Sequence, residues 1–125
     1  MKRSAVLVLV LLLAPLPAPQ RSAFAANERW IAIAGRNGEG RILYDPGSVI
    51  PSGPGKFRVW IMGFDADQFP RKSQEEFDCS NKIVRDIEVV SERPGKPATR
   101  AIAPSEWRGV VRETPRWELF KTLCR

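Results

Sequence analysis

The sequence predicts an α+β fold that is mainly β: a single antiparallel sheet of about five or six strands, with a short C-terminal helix packed on it and one disulfide. Three observations carry that expectation. Short apolar segments follow one another through tight-turn signals, which favours antiparallel neighbours. The hydrophobic period changes from two to about 3.6 only near the C-terminus. Two cysteines, Cys79 and Cys124, stand in a chain of 125 residues, a length that suits one domain.

The first segment reads as an address. Lys2 and Arg3 precede an apolar run from Ala5 to Ala14, and Ala23-Phe24-Ala25-Ala26 follows a proline-rich stretch. A basic region, a short apolar core and an Ala-x-Ala site make a Sec-type signal peptide, cleaved after Ala25 or Ala26. An apolar run of that length covers about 15 Å as helix, against about 30 Å of hydrocarbon. Pro15, Pro17 and Pro19 stop any continuation. The expected organisation is therefore a signal peptide at 1–26 and a mature domain at 27–125. No cysteine follows the apolar run to carry a lipid, and no second long apolar segment occurs. The expectation is a periplasmic or secreted chain with no membrane span. Losing 1–26 removes Lys2, Arg3 and Arg21, so the charge falls from +6 to +3 (17 basic minus 14 acidic). The remaining Lys and Arg are scattered among carboxylates, which argues against nucleic acid as a partner.

The mature chain then runs through a series of strands. Arg29 to Ala34 and Gly40 to Asp45 flank Asn37-Gly38, a strong hairpin signal. Asp45-Pro46-Gly47 and residues 51–55 turn the chain. Lys56 to Gly63 is the best strand: Phe57, Val59 and Ile61 face one way, Arg58, Trp60 and Met62 the other, so both faces need cover. Residues 64–72 read as a polar loop. Ser73 to Cys79 and Lys82 to Val90 form a second hairpin around Ser80-Asn81, with Ile83, Ile87 and Val89 on one face. Residues 91–97 are a loop, and Thr99 to Ala103 and Trp107 to Val111 are weaker strands. Thr114 can cap a helix whose first residue is Pro115. Trp117, Phe120 and Leu123 then make an apolar stripe on a helix from about Pro115 to Cys124.

Export favours disulfides, and an even cysteine count suits one bridge. Cys79 and Cys124 lie 45 positions apart, without the Cys-x-x-Cys spacing of a redox pair. A bridge between them would fasten the end of the helix to the strand ending at Cys79.

The mature chain resembles the surface-adhesin protein E-like domains of Gram-negative bacteria. The matching features are Trp30, the Tyr44-Asp45-Pro46-x-Ser48-Val49 turn, Gly55-x-x-x-Val59-Trp60, Glu76-Phe77-Asp78-Cys79, Arg85, Trp107 and a helix closing on Cys124. The resemblance implies an antiparallel sheet with a disulfide-held C-terminal helix. It also implies an exported, noncatalytic protein, some relatives of which bind host extracellular-matrix or plasma proteins. The lipid-attachment cysteine of the adhesin itself is missing from this chain.

Chemistry is limited by what the composition lacks. With no histidine, neither Ser-His-Asp nor Cys-His catalysis is available. Two cysteines alone cannot build a Cys₄ metal site. Asp65 and Asp67 could begin a calcium loop, but Pro70 occupies the position where an EF-hand needs glycine. Glu75 and Glu76, neighbours in a strand, point to opposite faces and cannot act as an acid/base couple. The Gly35 to Gly40 stretch lacks the helix and Lys-Ser/Thr of a phosphate loop and reads as a hairpin. Trp30, Trp60 and Trp117 read as core. Trp107 beside Arg108 and Trp60 beside Arg58 read as cation–π pairs. No catalytic residue, cofactor or metal is assigned.

Two basic loops, Phe69-Pro70-Arg71-Lys72 and Arg93-Pro94-Gly95-Lys96, are the candidate partner-binding elements. Arg71, Lys72, Arg93 and Lys96 are their charges. The expected function is an exported noncatalytic binding or envelope-accessory protein, whose partners are host matrix or plasma proteins or envelope components; homodimerisation is left open. Two alternatives stand beside it: a periplasmic binder of a small apolar ligand between helix and sheet, and a small carboxylate-based hydrolase.

Overall fold

The computed structural model describes residues 28–36, 38, 40–102 and 104–125. The signal peptide expected at 1–26 lies outside them. In the described residues eight strands form one antiparallel, curled sheet: β1 (Ile31–Ala34), β2 (Arg41–Tyr44), β3 (Ile50–Gly53), β4 (Lys56–Phe64), β5 (Pro70–Asp78), β6 (Ile83–Ser91), β7 (Thr99–Ala101) and β8 (Arg108–Gly109). A 3₁₀ turn, Pro46–Ser48, lies between β2 and β3, and one helix, α1 (Pro115–Leu123), ends the chain. The hydrogen-bonded path runs β1-β2-β4-β5-β6-β7, with β3 on β4 and β8 on β6.

Strands β4, β5 and β6, each nine residues long, make the centre. Each outer edge of this trio is shared. β2 pairs with β4 at Met62 and Ile61, and β3 pairs with it at Arg58, Phe57 and Lys56. On the far edge, β7 takes the Val89–Ser91 end of β6, and β8 the Ile83–Val84 end. The expectation of five or six strands falls short because β3 reads as a turn, while β7 and β8, expected only as weaker strands, both form as short pairings on β6. Ile50–Gly53 carries proline, serine and glycine, so it reads as a turn, yet an edge position tolerates a missing N–H.

The loop expected at 64–72 is also much shorter. β4 runs through Phe64 and β5 starts at Pro70, joined by a tight turn in which the Asp65 carboxylate accepts hydrogen bonds from the Asp67 and Phe69 amides at 2.9 and 3.0 Å. In β6, Gln74 faces Glu88 while Glu75 faces Asp86, so Ile87 is an extra residue in the ladder. Such a bulge re-phases the strand. Ile83 and Val89 therefore lie on opposite faces, and the shared face expected for Ile83, Ile87 and Val89 does not form.

One face of the sheet lies under α1. Val59, Ile61, Phe77 and Val84 on the sheet meet Leu119 and Phe120 of the helix, all at most 6% exposed. Thr114 caps the helix, its hydroxyl accepting from the Trp117 amide, and Pro115 opens the first turn. Leu119, fully buried, is absent from the Trp117-Phe120-Leu123 stripe; a curled sheet wraps a wider arc of the helix than a single i, i+3 row. Cys79 and Cys124 are bonded, with Cα atoms 5.5 Å apart. Among the described residues no helix is long and apolar enough to cross a membrane.

Candidate functional site

Because side chains alternate along β5, Glu75 and Glu76 go to opposite faces, as their adjacency predicts. Each is buried and each is held by arginines. Glu75, on the helix face, is fully buried. It accepts a two-point fork from Arg116 of α1 (Nε–Oε1 2.8 Å, Nη2–Oε2 2.9 Å) and a bond from the Ser73 hydroxyl. Arg108 stands 3.6 Å away and also reaches Asp86. Hydrogen bonding to Glu75, against the opposing effect of burial, raises the Arg116 pKa above its ordinary value.

Glu76, on the other face, is met by Arg58 at 3.1 Å and Arg85 at 2.8 Å. Burial pushes its carboxyl pKa up, but hydrogen bonds from Ser52, Arg58 and Arg85 outweigh that and hold it below the ordinary 4.5. Each carboxylate is thus tied to arginines on its own face of the sheet.

Lys72 sits on the Glu76 face and is only 3% exposed. It pairs with Glu28, and its ammonium lies 5.4 Å from the Trp30 ring and 5.2 Å from the Trp60 ring. Lys72 is thus an interior strand residue, and its expected role in an exposed partner-binding loop does not fit this placement. Trp60 takes its cation from Lys72, and Trp107 from Arg85 and Lys56 at 4.4 and 5.8 Å. The sequence-neighbour pairs Trp60–Arg58 and Trp107–Arg108 are therefore replaced by cross-strand ones. Trp107 and Arg108 are adjacent and reach different partners, while Arg58, on the same face as Trp60, is taken by Glu76 across the ladder.

The two candidate loops do meet. Arg93 of the β6–β7 loop reaches back to the β4–β5 turn, bonding Asp65 at 3.0 Å and Asp67 at 3.3 Å and lying over the Phe69 ring at 5.1 Å. The Asp65 pKa is lowered, first by the Phe69 amide and further by Arg93, although desolvation opposes it. The tip so formed borders an open groove of about 420 Å³ lined by Phe69, Pro70, Arg93, Pro94 and Lys96. Arg93 is largely neutralised there, which the sequence reading of a basic loop missed; the acids that pair it lie 26 and 28 positions away. Lys96 is exposed. Arg71 is exposed too, but on β5 and outside this groove.

A second depression of about 680 Å³ lies between the end of β1 and α1, lined by charged groups of both signs, including Arg36, Arg112, Glu113 and Lys121. Beneath Trp117 and Phe120, where an apolar ligand would enter, side chains of the core already pack. No known family model, curated protein or solved structure matches this chain.

Proposed function

We propose that the chain is an exported, noncatalytic binding or envelope-accessory module of the surface-adhesin protein E-like kind, contacting its partner through the tip where residues 65–69 and 92–98 meet. The observation that carries this reading is that tip: two loops far apart in sequence converge, tied by Arg93, and present Phe69, prolines and Lys96 around an open groove. A stiff apolar-and-polar rim of this sort suits protein recognition more than chemistry. The arginine clamps on Glu75 and Glu76 agree with a noncatalytic role. The disulfide and the helix it holds agree with the resemblance and with life in an oxidising compartment. The partners proposed are host matrix or plasma proteins, or envelope components.

The test is capture of purified matrix, plasma and envelope proteins on the immobilised chain, beside a Phe69→Ala/Lys96→Ala variant. Specific capture that the variant loses by about tenfold or more supports the reading, since hot-spot truncation costs about 2 kcal/mol each. Capture of none of the panel, or equal capture by the variant, overturns it.

A further inference from the structure

The helix face of β5 reads Phe77, Glu75, Ser73, Arg71 from the centre of the core outward. On β4 the matching row is Phe57, Val59, Ile61, Gly63, with Gly63 directly opposite Arg71. Gly63 lacks a side chain, and an added Cβ there would touch nothing within 4 Å. The core thus opens at this end into a pocket of about 260 Å³. It is walled by three arginines, Arg41 from β2, Arg71 from β5 and Arg116 from α1, with Ser73 among its lining residues.

The three guanidiniums are not equivalent. Arg116 is held by Glu75, which also takes the Ser73 hydroxyl, so that side of the pocket is fixed in place. Among the described residues Arg41 and Arg71 have no acidic partner. Glu75 is matched by Arg116, and Asp86, which also acts on Arg116, by Arg108, so among the described residues the charges of Arg41 and Arg71 are left over and the pocket is net positive. Guanidinium forks from three directions match the several acceptor oxygens of a tetrahedral anion and exceed what a planar carboxylate uses.

We propose that this pocket binds a phosphate or sulfate group, with Arg41 and Arg71 as its exposed jaws and Arg116 as its fixed wall. The site is distinct from the Phe69–Lys96 tip and stands whatever partner that tip takes. Ligands carrying the group include free oxyanions and the headgroup of a phosphomonoester lipid.

The experiment is a titration of the isolated protein with sodium phosphate and sodium sulfate, followed by amide NMR, against sodium chloride at matched ionic strength. Shifts confined to the neighbourhood of Gly63, Ser73 and Arg116 are expected with the oxyanions and not with chloride. Arg41→Gln/Arg71→Gln should weaken binding at least about tenfold, as loss of charge-assisted bonds implies. Arg93→Gln/Lys96→Gln should leave it unchanged. Both arginines are exposed and, among the described residues, have no carboxylate partner, so the melting temperature of the first variant should match the parent; Arg71→Gln alone repeats the test with one change. A second arm measures cosedimentation with phosphatidic acid vesicles against phosphatidylcholine vesicles. Cosedimentation that Arg71→Gln abolishes assigns the group to a lipid, and oxyanion binding without it assigns the group to a soluble ligand; either result upholds the pocket. Shifts equal to those in chloride, or undiminished phosphate binding by Arg41→Gln/Arg71→Gln, overturn it.

Discussion

On the helix side of the sheet, Val59, Ile61, Phe77 and Val84 are covered by α1, and the Cys79–Cys124 bond holds that cover down. On the other side no helix of the described residues packs. There Lys72 between Trp30 and Trp60, and Arg85 over Trp107, lay long side chains across the strands, while Glu76 ties Arg58 to Arg85. Both faces bury a glutamate, but they exclude water by different means. The first face uses a separate element, whose docking costs chain entropy that the cross-link reduces. The second uses stems and rings of the sheet's own residues, whose aliphatic and aromatic parts cover apolar surface while their charges find partners. A small domain can therefore dry two faces of one sheet with a single helix.

Breaking the cross-link should separate the two faces most clearly. Cys79→Ser/Cys124→Ser, or reductant, should cost about 4 kcal/mol in a denaturant melt, from closure of a loop spanning 45 positions. The amides of α1 should then lose hydrogen-exchange protection first, while those of β4, β5 and β6 keep theirs. Equal loss in helix and sheet would mean that the sheet depends on the helix.

Arg116→Gln comes next, at about 3 kcal/mol, because it leaves the fully buried Glu75 without its fork. Glu76→Gln on the opposite face should cost less, about 2 kcal/mol at neutral pH, since Arg58 and Arg85 remain partly in water. Its pH dependence sharpens the contrast. The Glu76 pKa is lowered in the folded protein, so its contribution is complete above the ordinary 4.5 and fades as pH falls through the lowered value. Melting temperatures of parent and Glu76→Gln should converge on acidification, and a constant gap would remove the ionised Glu76 from the account. Trp107→Leu is the smallest change, about 1 kcal/mol by chemical denaturation, as two cation–π contacts to Lys56 and Arg85 are lost while apolar bulk is kept.

Much of this was legible along the chain. The alternation in Lys56 to Gly63 marks β4 and assigns its two faces, and the adjacency of Glu75 and Glu76 sends them apart. The Thr114-Pro115 start and the two cysteines predict the capped, fastened helix. What escaped depends on distant partners. Nothing near Lys72 in the sequence announces Glu28 or the two indoles, and nothing near Arg93 announces Asp65. The bulge at Ile87 has no turn residue to mark it. Gly63 reads as the end of a strand, and only the ladder places it opposite Arg71 and near Arg41.

Local pattern thus determined the strand-rich class, the helix with its cap and the choice of cysteines, because periodicity, proline geometry and turn chemistry act over a few residues. Tertiary structure alone decided which charges are buried, which arginines are paired and which are left facing an open pocket. Charge pairing acts through space, between strands whose register is set by the whole sheet, so no short stretch of sequence contains it.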